Sequence, residues 1–348
     1  MYIMDPELET YKKTKVAEAT AAFNSAINTL KLNLNSAISY VNSTRISSKL
    51  KAHYINVYIS NYNASLNKLK TKLSNDIKAI NNITSVPGKK QGSKKALTIG
   101  INYRRTRLEL RGCINDATNL KNLLESKYGY KNTIMLTDDT NKKPNKQTIL
   151  SEFTNLLVNS VSGDILFFSY SGHGTYTTDL NKDENDGQDE LIVPIDATSI
   201  QQCILDDELN KIIKTNLKPG VKLFAMFDSC FSGTVLDLKY NYLDSENFEK
   251  ATVNPNIEET VGQVLMISGC TDKQTSADAT LKDDAGTMTN TGAMTFAFLD
   301  TLNKNSGSIT LKTLLQNMRT LLKTNGFTQI PQLSSGRSIN IDTMVFEL

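Results

Sequence analysis

The sequence predicts an α/β protein: a mixed, mostly parallel sheet flanked by helices, preceded by a helical segment of its own. Three observations lead there. Short, continuously apolar runs such as ILFF at 165–168 are what strands covered on both faces require. Stretches with the helical apolar period lie between these runs. Residues 1–85, in contrast, read as helices alone.

In chain order, the first segment carries Val16, Phe23, Leu30 and Ala37 at seven-residue intervals, with Thr20, Ile27, Leu34 and Val41 four residues further on. Leu50, Tyr54, Val57, Leu66, Leu69, Leu73, Ile77 and Ile80 form a second, looser stripe. A helical hairpin turning near 42–48 is expected. Its many Asn and Ser residues leave its stability to packing rather than propensity. VPGKKQGSKK at 86–95 combines Pro, Gly and Lys, which marks an exposed linker and a domain boundary. Strands are then predicted at 96–101, 133–137, 164–174 (this one running into a Gly-flanked loop), 191–196, 221–230 and 263–269. Helices are predicted at 114–127, 145–160, 206–216, 291–304 and 309–324. In such sheets, sites lie outside the carboxyl ends of the strands, where His173 and Cys230 both fall.

Composition narrows the chemistry. Hydrophobic content is 39% and charged content 22%, a globular balance. No apolar run approaches the roughly 18 residues that span a bilayer. The acidic start MYIMDPELET does not resemble a signal peptide, so a cytoplasmic protein that engages neither membrane nor nucleic acid is expected. Residues 1–95 carry fifteen Lys/Arg against five Asp/Glu, a balance of +10, and the remainder twenty-four against thirty-one, a balance of −7. The basic part reads as a solvated helical surface or as a surface for an anionic partner, including the acidic body. The four cysteines are far apart, which argues against a disulfide framework and for a reducing compartment. With only His53 and His173 present, a multi-histidine metal centre is excluded.

A lone cysteine is by default a small buried hydrophobe, and that reading leads for Cys113, Cys203 and Cys270. Cys230 differs because FDSCFSG places it at a strand exit. His173 differs because the glycines of GHG let backbone approach a ligand. A cysteine nucleophile needs a neighbouring base, and His173 is the base available. The two are 57 residues apart, similar to the roughly 50 of caspases, whose own cysteine signature is absent.

Eight blocks then occur in order from residue 96: ALTIGINY, LRGCINDA, FSYSGHG, DGQDELIVPID, ILDDEL, FDSCFSGTVLDL, ISGCTDKQTSADA and GAMTFAF. With them the chain resembles the metacaspases in their type I arrangement, within the caspase-like cysteine peptidases. The resemblance implies a caspase-like peptidase domain over 96–348. Its parts would be a p20-like portion 96–239, a processing linker 240–261 and a p10-like portion 262–348. It places the nucleophile on Cys230, the base on His173 and the oxyanion donors on the N–H groups of Gly174 and Cys230. It implies cleavage after Arg or Lys through a pocket of Cys113, Asp116, Ser171 and Asp228, in which two carboxylates would grip a guanidinium. By position alone, Asp116 would instead be an acid at a helix N-terminus.

The acidic stretch DLNKDENDGQDE departs from an EF-hand, since Glu184 occupies the glycine position. The resemblance implies a discontinuous Ca²⁺ site of Asp189, Asp206, Asp207 and Asp237, with Asp186 or Glu190 as alternatives to Asp189. Lys239 and Lys250, in a polar stretch expected to be loop, and the linker at 89–95 are the autoprocessing candidates of a zymogen. The expected partners are protein or peptide substrates with Arg or Lys at the cleaved bond, acted on by a monomer. The N-terminal hairpin reads equally as a regulatory or oligomerisation module and as a stabilising cap. Two competing readings are a non-proteolytic scaffold on the same fold and a peptidase with Asp or Asn specificity.

Overall fold

The computed structural model describes residues 6–83, 92–178, 188–229, 235–242, 251–269, 278–282, 288–305 and 308–348. The chain separates into two compact units, residues 3–89 and the remainder.

The first unit is an antiparallel hairpin of α1 (Pro6–Ser43) and α2 (Ser48–Asn81). Ser47 caps α2 by accepting the Leu50 N–H, and Lys12 Nζ donates to the Asn81 carbonyl at 2.7 Å, tying the far ends together. On α1 every position of the predicted stripe from Val16 to Val41 is half-buried or buried, and Ala19, Ala26 and Ile38 beside it are half-buried as well. On α2 the phase is corrected. Leu50, Tyr54 and Val57 are 41%, 44% and 42% exposed, and Ile55 and Tyr62 take the inward positions ahead of Leu66, Leu69, Leu73, Ile77 and Ile80.

The second unit is built on a sheet in the order β2-β1-β3-β7-β10-β13-β8-β9. Its parallel strands are β1 (Lys94–Gly100), β2 (Asn132–Thr137), β3 (Ile165–Ser171), β7 (Lys222–Asp228) and β10 (Gln263–Ser268). Antiparallel pairing adds β13 (Gln332–Ser335), β8 (Tyr240–Tyr242) and β9 (Thr252–Val253) at one edge. Strand alternation sends Leu166, Phe168 and Tyr170 to one face, against Ile149 and Phe153 of α4 (Lys146–Val158) and Leu209 and Ile213 of α5 (Asp206–Asn216). Phe167, Phe224 and Met226 face the other side. There they meet α3 (Cys113–Lys127), α6 (Ala293–Lys304) and α7 (Leu311–Thr324). The result is a three-layer core with the chemistry left to the strand ends. Among the described residues, no helix is long and apolar enough to cross a membrane.

Several boundaries differ from the sequence reading. The first strand begins at Lys94, inside the expected linker, because both lysines find acceptors. Lys94 Nζ donates to the carbonyls of Tyr128 and Leu348, and Lys95 Nζ pairs with Asp164. The strand expected at 191–196 is β5 (Gln188–Ile192). It lies in a separate antiparallel sheet between β4 (Gly174–Thr178) and β6 (Ile204–Leu205). Gly174 therefore opens a strand rather than closing a loop. The stretch expected to be loop after 239 contributes the edge strands β8 and β9. A ribbon of β11 (Asp278–Lys282) and β12 (Met288–Gly292) precedes α6, which begins at Ala293 rather than at 291.

Candidate active site

β3 and β7 are adjacent and parallel, and their last residues, Ser171 and Asp228, are register partners. His173 leaves the tip of β3 two residues later. Residue 230 follows the tip of β7 by the same interval, and Cys230 itself lies outside the described residues.

The segment after β1 holds His173 closely. Its Nε2 is 2.8 Å from the Leu108 carbonyl. Because a carbonyl only accepts, that nitrogen carries a proton, and in the neutral ring Nδ1 is then the nitrogen with the lone pair. The His173 backbone N–H donates to Tyr103 Oη at 3.0 Å, and the His173 carbonyl accepts from Tyr170 Oη at 2.8 Å. A Cβ at Gly172 would lie 2.6 Å from Tyr170 Oη, so only glycine lets the chain pass over the two phenols. The Val193 N–H donates to the His173 carbonyl. In an antiparallel ladder hydrogen-bonded pairs alternate with non-bonded ones. The next pair, Gly174 with Ile192, is therefore of the non-bonded kind, and the Gly174 N–H faces away from β5.

The described members of the predicted acidic pocket are gathered. Asp116, in the first turn of α3, is 0% exposed. It accepts from Ser171 Oγ at 3.0 Å, from Thr291 Oγ1 at 2.5 Å, and from the Gly292 N–H with both oxygens at 3.0 Å. Asp228 Oδ2 accepts from the N–H and the hydroxyl of Thr295, each at 2.8 Å, at the positive end of α6. A Cβ built on Gly292 would stand 2.2 Å from Asp228 Oδ2 and 2.8 Å from Asp116 Oδ2; the two carboxylates flank one backbone atom. Burial, and then the neighbouring Asp228 charge, push the Asp116 carboxyl up to about 8 from its ordinary 3.8. Cys113 is buried one turn before Asp116.

Thr291, Gly292 and Thr295, within or beside the GAMTFAF block, add to the residues expected from sequence. Nothing in a Thr-Gly pair signals a carboxylate clamp until β12 and α6 bring it to α3. Leu108 lies outside the quoted blocks and acts through a backbone carbonyl, which no side-chain pattern signals; Tyr103 and Tyr170 lie within ALTIGINY and FSYSGHG but read there as strand core.

The predicted calcium ligands lie on neighbouring elements. β5, which carries Asp189, pairs with β6, after which Asp206 and Asp207 open α5. Asp206 accepts the N–H groups of Glu190 and Asp207. Asn210 Nδ2 bonds the carbonyls of Leu236 and Asp237, bringing Asp237 to the same helix. Asp189, Glu190, Asp206 and Asp237 are buried. The donors are oxygen only, which suits Ca²⁺. Among the described residues, however, no three His, Cys, Asp or Glu side chains converge closely enough to hold a metal ion. The set fits in chemistry and is not gathered into a finished site. Asp186 lies outside the described residues. The Lys239 carbonyl accepts the Asn254 N–H, and Lys250 lies outside the described residues.

A doubly covered sheet with a histidine and an acidic pocket at its strand tips is an α/β architecture that carries its polar site at the carboxyl ends of parallel strands. A family model described as metacaspase, peptidase C14 domain, matches residues 94–239. Metacaspase-1 of Kluyveromyces lactis is 40% identical over 299 residues, 72% of this chain and 67% of that protein. Metacaspase-1 of Botryotinia fuckeliana is 38% identical over 301 residues, 73% of this chain and 70% of that protein. A crystal structure of a Geobacter sulfurreducens protein shares the fold, with a TM-score of 0.53 at 21% identity, over 73% of this chain and 97% of that one. The chain belongs to the metacaspase family of cysteine peptidases.

Proposed function

We propose that the protein is a calcium-dependent endopeptidase, made as a zymogen, that cuts peptide bonds after Arg or Lys with Cys230 and His173. The observation that carries this reading is the buried carboxylate pair Asp116–Asp228, held beside the strand tip from which His173 departs.

In this reading Nδ1 of His173 takes the Cys230 thiol proton, and the thiolate attacks the scissile carbonyl. The negative charge on that oxygen meets the N–H groups of Gly174 and Cys230; one such donor contributes roughly 3–4 kcal/mol in comparable acyl transfers. The imidazolium then protonates the departing amine, leaving a thioester. A water molecule, deprotonated by the same nitrogen, cleaves the thioester and restores the thiol. With Nε2 fixed on Leu108, the imidazole needs no reorientation between these steps.

Specificity follows from charge. A guanidinium or ammonium entering the pocket meets two carboxylates and displaces the proton that Asp116 holds at neutral pH. An Asp side chain would meet repulsion instead. Asp189, Asp206, Asp207 and Asp237 would hold Ca²⁺, whose charge would neutralise these acids and order the chain around them. Autoprocessing is assigned to Lys239, Lys250 or the Lys-rich linker.

The test is hydrolysis of fluorogenic peptides ending in Arg, Lys or Asp, with millimolar calcium or with chelator. Wild type should cleave the basic peptides only in calcium, and Cys230→Ala should cleave none. Faster cleavage of the Asp peptide would overturn the specificity. No turnover with the thiol verified as reduced would favour a scaffold on the same fold.

A further inference from the structure

Tyr103 is a bulky, 3% exposed aromatic residue with φ 48. That left-handed conformation is disfavoured for a non-glycine residue and persists only where the surroundings over-determine it. Arg105, two residues on, is also left-handed with φ 63. The surroundings converge on His173. Tyr103 Oη accepts the His173 N–H, donates to the Val193 carbonyl at 2.6 Å, and lies 3.0 Å from Tyr170 Oη. Tyr170 Oη donates to the His173 carbonyl and accepts the Val193 N–H at 3.2 Å. The Tyr170 hydroxyl also has the Val193 carbonyl within reach at 3.0 Å, and both polar ends of residue 173 are held by a phenol. The Tyr103 ring also packs against the imidazole, with centroids 4.8 Å apart and planes tilted by 39°. Five residues beyond Tyr103, the same segment presents the Leu108 carbonyl that fixes Nε2.

We propose that Tyr103, with Tyr170 as its partner, is the positioning residue of the His173 base: it clamps the peptide and ring of His173 and anchors the segment whose Leu108 carbonyl selects the tautomer. This rests on the reading of His173 as the base of Cys230. Burial raises both phenols above the ordinary tyrosine range, so they remain O–H donors across the working pH. The energetic logic is that of a preorganised base, in which a misplacement of about 1 Å costs on the order of a hundredfold in rate. Tyr103→Phe leaves the ring and removes only the hydroxyl.

The experiment measures the pH dependence of Cys230 alkylation by iodoacetamide, read by peptide mass spectrometry on the full chain. It also measures kcat and KM for an Arg peptide. Wild type should alkylate well below the ordinary thiol range of about 8.5, and His173→Ala should return the profile towards it. Tyr103→Phe and Tyr170→Phe should each slow alkylation near neutrality severalfold. They should lower kcat about tenfold or more with KM within twofold, because the acidic pocket is untouched. The double variant should lose less than the product of the two single losses, since both hydroxyls hold one peptide. If both single variants match wild type while His173→Ala does not, the positioning role is overturned and the base assignment stands. If His173→Ala alkylates like wild type, the base assignment fails and the positioning role falls with it. A raised KM with unchanged alkylation would make the hydroxyls merely structural.

Discussion

Asp116 combines full burial with a carboxylate neighbour, so its proton behaves unlike that of a surface aspartate. Its folded pKa is raised to about 8 against an ordinary 3.8, by burial first and by Asp228 second. The folded chain therefore keeps a proton that the unfolded chain has already released over the range from about pH 4 to about 8. The contribution to stability is complete below the lower value and is lost as pH rises through the upper one, with a slope of at most about 1.4 kcal/mol per pH unit. Asp116→Asn carries no such proton. Urea unfolding of Cys230→Ala with and without Asp116→Asn, at intervals from pH 5 to 8.5, should show the asparagine variant gaining relative stability steadily with pH. A constant difference would mean that Asp116 is ionised throughout, and the hydrogen bonds from Thr291, Gly292 and Ser171 would then be sufficient to hold the charge.

At the scale of elements, the hairpin and the sheet were unequally legible, for physical reasons. The runs at 165–168 and 223–227 announced β3 and β7 because strands covered on both faces must be apolar at every position. β8 (YNY) and β13 (QLSS) pair antiparallel at the edge of the sheet, where pairing partners rather than side-chain hydrophobicity define the strand. The polar, β-branched TYTT of β4 carried a strand signal that the adjacent GHG overshadowed. On α1 a strict seven-residue repeat marked the buried stripe. On α2 the abundance of apolar residues near the turn led to Leu50, Tyr54 and Val57, whereas the antiparallel partner selects Ile55 and Tyr62. Among its described residues, α2 contains no fully buried side chain, so little apolar area opposes the entropy of ordering 34 residues. The hairpin is expected to melt as a separate, lower-temperature step. Circular dichroism at 222 nm should show two transitions, and Leu30→Asp should lower only the first. One shared transition displaced by that substitution would show that the two units unfold together.

For the whole molecule, the acidic pocket draws on both sides of the proposed processing region. Asp116, Ser171 and Asp228 precede it, while Thr291, Gly292 and Thr295 follow it. A cut after Lys239 or Lys250 would divide the chain between these groups but not the sheet that presents them. β10 remains paired along β7 from Gln263 to Ser268, and the clamp on the two aspartates remains in place. β8 begins immediately after Lys239 and pairs with β13, so a cut there leaves both edge strands in the same fragment. Lys239 itself is tied by the bond from Asn254, and an extended substrate strand must first be freed from its neighbours, which makes the cut slow at this position unless the edge opens. Intact-mass measurement after calcium addition should show wild type converting to two pieces with a junction at Lys239 or Lys250, and Cys230→Ala remaining whole. The pieces should co-elute in size exclusion and separate only in denaturant, with activity retained on the basic peptide. Separation without denaturant would show that the parallel β7–β10 pairing does not hold the halves together. Conversion of Cys230→Ala at the wild-type rate would assign the cut to another peptidase.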